Sequence, residues 1–189
     1  MSLHLVDTNP ALVSAWKSAF ADLPEVSIQQ GNILSVAHNT IVSPANSYGF
    51  MNGGIDLAYR WFFPKGLEVR VHQAISARPE HFLPVGESLV VCTSHERIPH
   101  LIVAPTMFIP EPVPSENCYL AMQAVLRSAA ADAEVGKAVF CPGLGTGTGA
   151  VPPADAAREM VRAFRDWKAD LGKAAETTSI QPGTTRADQ

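Results

Sequence analysis

Basic residues are scarce in this sequence. Lysine and arginine together number 14 of 189 residues, against 18 aspartates and glutamates, so the formal net charge is −4. Proteins that bind duplex nucleic acid along its backbone carry a basic surface. The composition therefore argues against a duplex nucleic acid as the partner. A small anion can still be held by main-chain amides without lysines.

Cysteines and long apolar runs are also rare. The three cysteines, Cys92, Cys118 and Cys141, show neither the spacing of a zinc site nor that of a disulfide framework. No stretch reaches the roughly 18 apolar residues of a membrane span. Residues 1–8 lack the basic and then apolar pattern of a secretory signal. We therefore expect no metal site, no membrane partner and a cytoplasmic location.

The features that are present alternate between strand and helix. Short apolar runs predict strands, and apolar residues at helical spacing predict helices. The predicted strands are 3–6, 26–30, 40–43, 88–93, 100–104 and 137–141, and the predicted helices are 10–21, 55–63, 67–77, one after Ser115 and one from Pro152. This alternation predicts an α/β fold in which helices cover both faces of one central sheet.

The chain is predicted to consist of one folded domain, residues 1–172, and a tail. From Lys173 onward the sequence is polar and contains Pro182, Gly183 and several threonines. Such a composition buries little apolar surface, so we expect residues 173–189 to be disordered. A second irregular segment, residues 105–114, contains four prolines. It is expected to form either a lid or a contact with a partner.

A glycine-rich segment follows the last predicted strand. Gly143, Gly145, Gly147 and Gly149 alternate with other residues in what we call the glycine loop, residues 142–150. Main-chain N–H groups in such a loop can approach an anion closely because no side chains intervene. The intervening Thr146 and Thr148 add hydroxyl donors, while Leu144 is apolar. The alternative is a plain flexible connector between a strand and a helix.

A second polar loop follows the predicted strand 40–43. This first loop, residues 44–54, contains Asn46 and is followed by Asp56 near the start of a helix. The Asn46 amide can donate to and accept from a sugar hydroxyl, or it can close an Asx turn. The Asp56 carboxylate can act in catalysis, or it can complement the helix dipole. In open α/β sheets, loops at the carboxyl ends of strands form the ligand crevice, so we expect the two loops to meet there.

Three ordered motifs in these loops resemble the macrodomain family. Residues 41–46, IVSPAN, and 53–58, GGIDLA, resemble the pattern IVNAAN followed by GGVDxAI. The ten-residue interval from Asn46 to Asp56 is that of the hydrolytic macrodomains related to MacroD. Residues 143–147, GLGTG, with Pro152 five positions later, resemble GISTGxxxxP. The resemblance implies a three-layer α/β/α macrodomain with a central mixed sheet of about six strands, and ADP-ribose as ligand.

The resemblance also implies a role for individual residues. Asn32, in the triplet at 31–33, takes the position of an aspartate that reads the adenine amino group. Asn46 is expected at the distal ribose, Asp56 near its anomeric carbon, and the glycine loop at the diphosphate. The residues expected to contact ADP-ribose are Asn32, Ile33, Ala45, Asn46, Gly53, Gly54, Ile55, Gly143, Leu144, Gly145, Thr146, Gly147, Thr148 and Gly149.

Several positions depart from the family pattern. Ser43 replaces the first asparagine, Met51 and Asn52 replace two glycines, and Arg60 replaces a histidine. Gly149 stands where hydrolases often carry an aromatic residue that packs on the distal ribose. These changes affect the catalytic geometry more than the binding of the ligand.

The resemblance implies a function with no cofactor and no metal. We expect binding of ADP-ribose and hydrolysis of an ADP-ribosyl linkage, either removal of mono-ADP-ribose from an acceptor or deacetylation of O-acetyl-ADP-ribose, with Asp56 and Asn46 catalytic. The partner would be ADP-ribose or an ADP-ribosylated substrate, and a nucleic acid would be a partner only when ADP-ribosylated. The alternatives are a non-catalytic ADP-ribose reader and a structural α/β protein whose loops bind nothing. The sequence specifies neither the acceptor nor the oligomeric state.

Overall fold

The computed structural model describes residues 1–179, with side chains described to residue 173. Its described residues form six strands, six α-helices and one short 3₁₀ helix. In chain order these are β1 Leu3–Asp7, α1 Pro10–Ala19, β2 Val26–Gln30, α2 Ile33–Val36, β3 Thr40–Ser43, α3 Gly54–Phe62, α4 Leu67–Ser76, β4 Leu89–Cys92, β5 His100–Val103, α5 Glu116–Ala131, the 3₁₀ helix Val135–Lys137, β6 Val139–Cys141 and α6 Pro153–Ser179.

The strands form a single mixed sheet in the order β2-β1-β6-β3-β5-β4. All neighbouring strands are parallel except β4, which pairs with β5 in the antiparallel direction. All four residues of β3 are buried, as expected for a central strand covered on both faces. The prediction of a mixed sheet of about six strands is confirmed.

Helices cover the two faces of the sheet with separate apolar cores. On one face, α1, α5 and α6 pack together, and Trp16 of α1 is fully buried with its indole N–H donating to the Met160 sulfur at 3.4 Å. On the other face, α3 and α4 cover the sheet with buried side chains that include Tyr59 and Ile75. The three-layer α/β/α arrangement predicted from the sequence is therefore present.

The local signals explain most of the element boundaries. The Asn9 side chain caps α1 by accepting from the Ala11 N–H at 3.0 Å, and Pro10 occupies the first turn. Ser115 precedes α5 but makes no side-chain cap hydrogen bond. The last strand begins at Val139, two residues later than predicted, because residues 135–137 form the 3₁₀ helix.

The final helix continues past the predicted end of the domain. It runs to Ser179, whereas the sequence predicted a folded domain ending at residue 172. The rest of the tail that was predicted to be disordered, residues 180–189, lies outside the described residues. No helix within residues 1–179 is long and apolar enough to cross a bilayer.

Candidate functional site

A cleft of about 280 Å³ opens where the central strands end. The parallel strands β1, β6 and β3 lie side by side, so their carboxyl ends bring Asp7, Pro142 and Pro44 to one edge of the sheet. Residues of both the first loop and the glycine loop line it. The predicted site residues that line this cleft are Ala45, Asn46, Gly53, Gly54, Ile55, Asp56, Gly143, Gly145, Thr146, Gly147 and Thr148.

A second cavity of about 370 Å³ adjoins the cleft. The two share Asp7, Gly54 and Ile55 in their linings, so they lie on either side of these residues. The predicted residues Asn32 and Ile33 line this second cavity rather than the cleft. Asn32 also caps the short helix α2, since its side-chain oxygen accepts from the Leu34 N–H at 3.0 Å.

Two residues of the glycine loop lie behind the cleft wall. Leu144 is fully buried in the core beneath α1, α5 and α6, and its carbonyl accepts from the Cys118 thiol at 3.0 Å. Gly149 is buried, and its carbonyl accepts from the Val113 N–H at 2.9 Å. Neither residue is part of the cleft lining, so both act in the structure as supports of the loop.

The glycine loop is held by hydrogen bonds at several points. The Val151 N–H donates to the Gly145 carbonyl at 3.0 Å, and the Gly143 N–H donates to the Asp7 carboxylate at 3.1 Å. Gly145 has a φ of +69°, which disfavours a side chain there. A Cβ at Gly149 would lie 2.5 Å from the Gly145 carbonyl oxygen. In the loop held by these contacts, Gly147 and Thr148 are exposed and Thr146 is half-buried, and all three line the cleft.

The cleft offers main-chain donors rather than cations to a ligand. No lysine or arginine lines it within the part of the chain that the structure describes. The charged groups present are the carboxyls of Asp7 and Asp56. An anion in this cleft would therefore depend on N–H groups and on the hydroxyls of Thr146 and Thr148.

Asn46 shapes the loop to which it belongs. Its side-chain oxygen accepts from the Tyr48 and Phe50 N–H groups at 3.1 and 3.3 Å, and its amide donates to the Phe50 carbonyl at 3.0 Å. The side chain is buried. The Asx-type turn that the sequence allowed is therefore present, and it places Asn46 in the cleft wall at the same time.

Asp56 is a buried acid in the first turn of α3. It is 7% exposed, and one carboxylate oxygen accepts from the Ser43 hydroxyl at 2.7 Å. Burial raises the pKa of Asp56 from 3.8 to about 6, against the opposing effect of the Ser43 hydrogen bond. Ser43, which departs from the family pattern, is thus the hydrogen-bond partner of the predicted catalytic acid.

Two other positions that depart from the family pattern, Met51 and Arg60, contact the same carboxylate. The Met51 N–H donates to the Glu68 carboxylate at 3.0 Å, and Arg60 forms an ion pair with the same carboxylate at 3.1 Å. Met51 itself is 2% exposed and packs in the core beneath α3 and α4. The Met51 side chain therefore anchors the first loop to this core, and a glycine at position 51 would lack these packing contacts.

The sequence reasoning missed several residues of the cleft wall. Asp7 follows β1 directly, and the rule that ligands bind at the carboxyl ends of strands could have identified it. Thr106, Met107 and Pro110 belong to the proline-rich segment, which forms a wall of the cleft. An isolated pairing between Asn46 and Met107 joins this segment to the first loop. No local signal in the sequence indicated that contact.

Comparisons with known proteins agree with this arrangement. The family model for the Macro domain matches residues 42–160. An uncharacterised protein of Aquifex aeolicus is 34% identical over 145 residues, which cover 76% of this chain and 83% of that protein. An uncharacterised protein of Aeropyrum pernix is 31% identical over 140 residues, covering 73% and 69% of the two chains.

Solved structures with a similar fold include macrodomains. The macrodomain of Mycobacterium tuberculosis DarG has a TM-score of 0.62 at 22% identity, covering 74% of this chain and 89% of that one. An Oceanobacillus iheyensis macrodomain with ADP has a TM-score of 0.56 at 19% identity, covering 67% of each chain. Thermosipho africanus DarTG in complex with ADP-ribose has a TM-score of 0.60 at 14% identity, covering 71% of this chain and 37% of that one.

Proposed function

Because this chain belongs to the Macro domain family, we propose that it binds ADP-ribose and hydrolyses the bond between the distal ribose and an acceptor. One observation carries the proposal. The same cleft is lined by the glycine loop, whose main-chain N–H groups can hold an anion, and by the buried carboxyl of Asp56. The Thermosipho africanus DarTG structure, which has a similar fold, is a complex with ADP-ribose.

The two adjoining cavities suggest how the ligand lies. We place the adenine in the cavity lined by Asn32 and Ile33, and the diphosphate against residues 145–148 of the glycine loop. The distal ribose then lies between Asn46 and Asp56. This order is the one that the family resemblance implies, and Gly54 and Ile55, which line both cavities, mark their junction.

Hydrolysis in this arrangement uses Asp56 as general base. The bond from the anomeric carbon to the acceptor oxygen breaks through a transition state with oxocarbenium character. Above a pH of about 6 the Asp56 carboxylate is ionised, so it stabilises that charge and takes a proton from the attacking water. The water oxygen bonds to the anomeric carbon, and the acceptor leaves with the electrons of the broken bond and takes up the proton that Asp56 removed from the water. Asn46 holds the first loop, and with it the ribose hydroxyls, in the geometry for attack.

The ten-residue interval between Asn46 and Asp56 supports the hydrolytic type related to MacroD. Deacetylation of O-acetyl-ADP-ribose is the alternative reaction for the same site, and it would break an acyl–oxygen bond rather than the bond at the anomeric carbon. Ser43, which stands where the family pattern has an asparagine, supports the acid by donating a hydrogen bond to Asp56.

A reader without catalytic activity is the second candidate. The observation that favours it is the use of Asn46 within its own loop, where three hydrogen bonds already engage its side chain. A gel assay on an ADP-ribosylated acceptor separates the two functions. A hydrolase removes the label with time, whereas a reader leaves it in place.

Calorimetric titration with ADP-ribose is the first experiment for the proposed site. AMP and NAD are the controls, because AMP would fill only part of the two cavities and NAD would extend beyond them. We expect micromolar affinity, about −8 kcal/mol, for ADP-ribose and weaker binding of both controls. The absence of heat at millimolar ADP-ribose would show that the cleft has a different ligand.

A further inference from the structure

Aromatic residues cluster at the mouth of the cleft. The aromatic rim consists of Tyr48, Phe50, Phe82, Phe108 and Ile109. The ring centroid of Phe108 lies 5.2 Å from that of Tyr48 and 5.4 Å from that of Phe82, and both contacts are edge to face. The Tyr48 and Phe50 ring centroids are 6.1 Å apart. The four rings therefore form one contiguous surface from the first loop, the proline-rich segment and Phe82, and the exposed Ile109 follows Phe108 in the chain.

The rim leaves large apolar side chains in contact with water. Phe50, Phe108 and Ile109 are 46%, 45% and 47% exposed. Single exposed apolar residues are ordinary, but a contiguous group beside a cleft is typical of a surface that binds something. None of these side chains is required to fill the two cores, which are formed by other residues.

The position of the rim fits the end of the cleft where an acceptor would leave. Phe50 lines the cleft, and its carbonyl accepts from the Asn46 amide. Met107 and Pro110, which flank Phe108 and Ile109 in the chain, also line the cleft. A group attached to a ribose at Asn46 and Asp56 therefore emerges over the rim.

The charge of the rim distinguishes between possible acceptors. Residues 44–52 contain no charged residue, and residues 105–114 contain only Glu111. Arg78 donates to the Phe82 carbonyl, but it also forms ion pairs with Glu80 and Glu87. A nucleic acid strand needs cations along its phosphates. A neutral aromatic surface suits uncharged apolar side chains instead.

We infer that the aromatic rim binds an apolar or aromatic stretch of polypeptide next to an ADP-ribosylated side chain. This inference rests on the proposed function and specifies the acceptor as protein. The cleft holds the ADP-ribosyl group, and the rim selects among acceptors by the residues beside the modified position. Substrate choice is thus separated in space from the residues that bind ADP-ribose.

The test compares ADP-ribose conjugates that differ only in their flanking residues. The aldehyde form of the distal ribose of ADP-ribose is joined as an oxime to an aminooxy group carried at the N-terminus of a Leu-Phe-Leu peptide or a Gly-Ser-Gly peptide, with release of water, and affinities are measured by calorimetry. We expect the apolar conjugate to bind about tenfold more tightly than the polar one. The double variant F108S/I109S should remove this difference and leave the affinity for free ADP-ribose unchanged.

Two further variants serve as controls. Leu171→Ser is the matched control, because Leu171 is 47% exposed on α6, as Ile109 is in the rim, and it should leave the tenfold difference intact. Ile109→Ser alone keeps the ring contacts of Phe108 and should reduce the difference by part of its value.

Several outcomes would overturn the inference. These are equal affinity of wild type for the two conjugates, a difference that persists in F108S/I109S, or a rim-dependent gain seen only with an oligonucleotide that carries ADP-ribose at its 5′ end. A dimer that dissociates in F108S/I109S would show that the rim is occupied by a second copy. A protein that fails to bind free ADP-ribose would overturn the proposed function, and this inference with it.

Discussion

Asp56 is the residue on which the proposed chemistry depends most directly. We expect Asp56→Ala to abolish turnover of an ADP-ribosylated acceptor while the affinity for ADP-ribose falls only a few-fold, because the carboxylate acts on the reacting carbon. A gel assay and calorimetry measure the two effects. Asp155→Ala, which removes an exposed acid from the first turn of α6, is the control and should change neither. Equal turnover in Asp56→Ala and wild type would remove Asp56 from the mechanism.

The pH dependence of turnover follows from the environment of Asp56. Only the carboxylate form can act as a base, so activity should rise as pH increases through the pKa of about 6. The Ser43 hydroxyl stabilises that form through its 2.7 Å hydrogen bond. In Ser43→Ala the pKa of Asp56 should therefore be higher, and the acid limb of the pH–rate profile should move to higher pH. A profile that does not move would show that Ser43 has no positioning role.

The same buried acid affects stability in the opposite direction. Burial raises the pKa of Asp56 from 3.8 to about 6, so ionisation destabilises the fold as pH rises through that range. Asp56→Asn keeps the shape and the acceptor for Ser43 but cannot ionise. We expect the variant to be more stable than wild type by about 3 kcal/mol above a pH of about 6, and by progressively less as pH falls towards 4. Chemical denaturation across this range measures the difference, which a pH-independent result would contradict.

At the scale of elements, different glycines of the glycine loop are expected to maintain its structure and to contact the ligand. A Cβ at Gly149 would meet the Gly145 carbonyl oxygen at 2.5 Å, whereas a Cβ at Gly147 would meet no atom within 4 Å. We expect Gly149→Ala to lower the free energy of unfolding by about 2 kcal/mol and to weaken ADP-ribose binding. Gly147→Ala should leave stability unchanged and weaken binding alone, because its methyl group occupies the cleft. Thermal denaturation with calorimetry distinguishes the two.

The elements themselves were largely predictable from the sequence. The strands β2 and β3 have the predicted bounds, because alternating or continuous apolar residues next to turn residues are strong local signals. Helix α2 was missed, since four residues are too few to show a period. It is held from outside, by Asn32 at its start and by Arg97, which donates to the carbonyls of Leu34 and Ala37.

Only those parts of the site that lie within one continuous stretch of sequence could be predicted. The glycine loop and the first loop could be identified from their glycines, from Asn46 and from Asp56. The hydrogen bond from Ser43 to Asp56 and the wall formed by Met107 and Pro110 depend on tertiary packing, so no local pattern indicates them. Likewise, Leu144 and Gly149 could be placed in the loop from the sequence, but their position behind the cleft wall could not.

At the scale of the whole molecule, the protein is acidic and no lysine or arginine is found among the described residues of its cleft, so salt should affect the proposed binding of ADP-ribose differently from binding to a cationic site. The net charge is −4, and among the described residues that line the cleft the charged ones are acids. Salt screens repulsion as well as attraction. We therefore expect the affinity for ADP-ribose to stay constant or rise slightly between about 0.05 and 0.5 M NaCl. A steep fall in affinity over that range would indicate a cationic contact outside the cleft.

The burial of Trp16 between α1 and α6 gives the protein an internal optical reporter. Its indole is 0% exposed, whereas Trp61 is 79% exposed, and no tryptophan is among the described residues that line the cleft. Emission from Trp16 should therefore be blue-shifted in the native protein, should shift to the red on unfolding, and should respond little to the ligand. One fluorescence trace can then distinguish a variant that has lost its fold from one that has lost only its affinity for ADP-ribose.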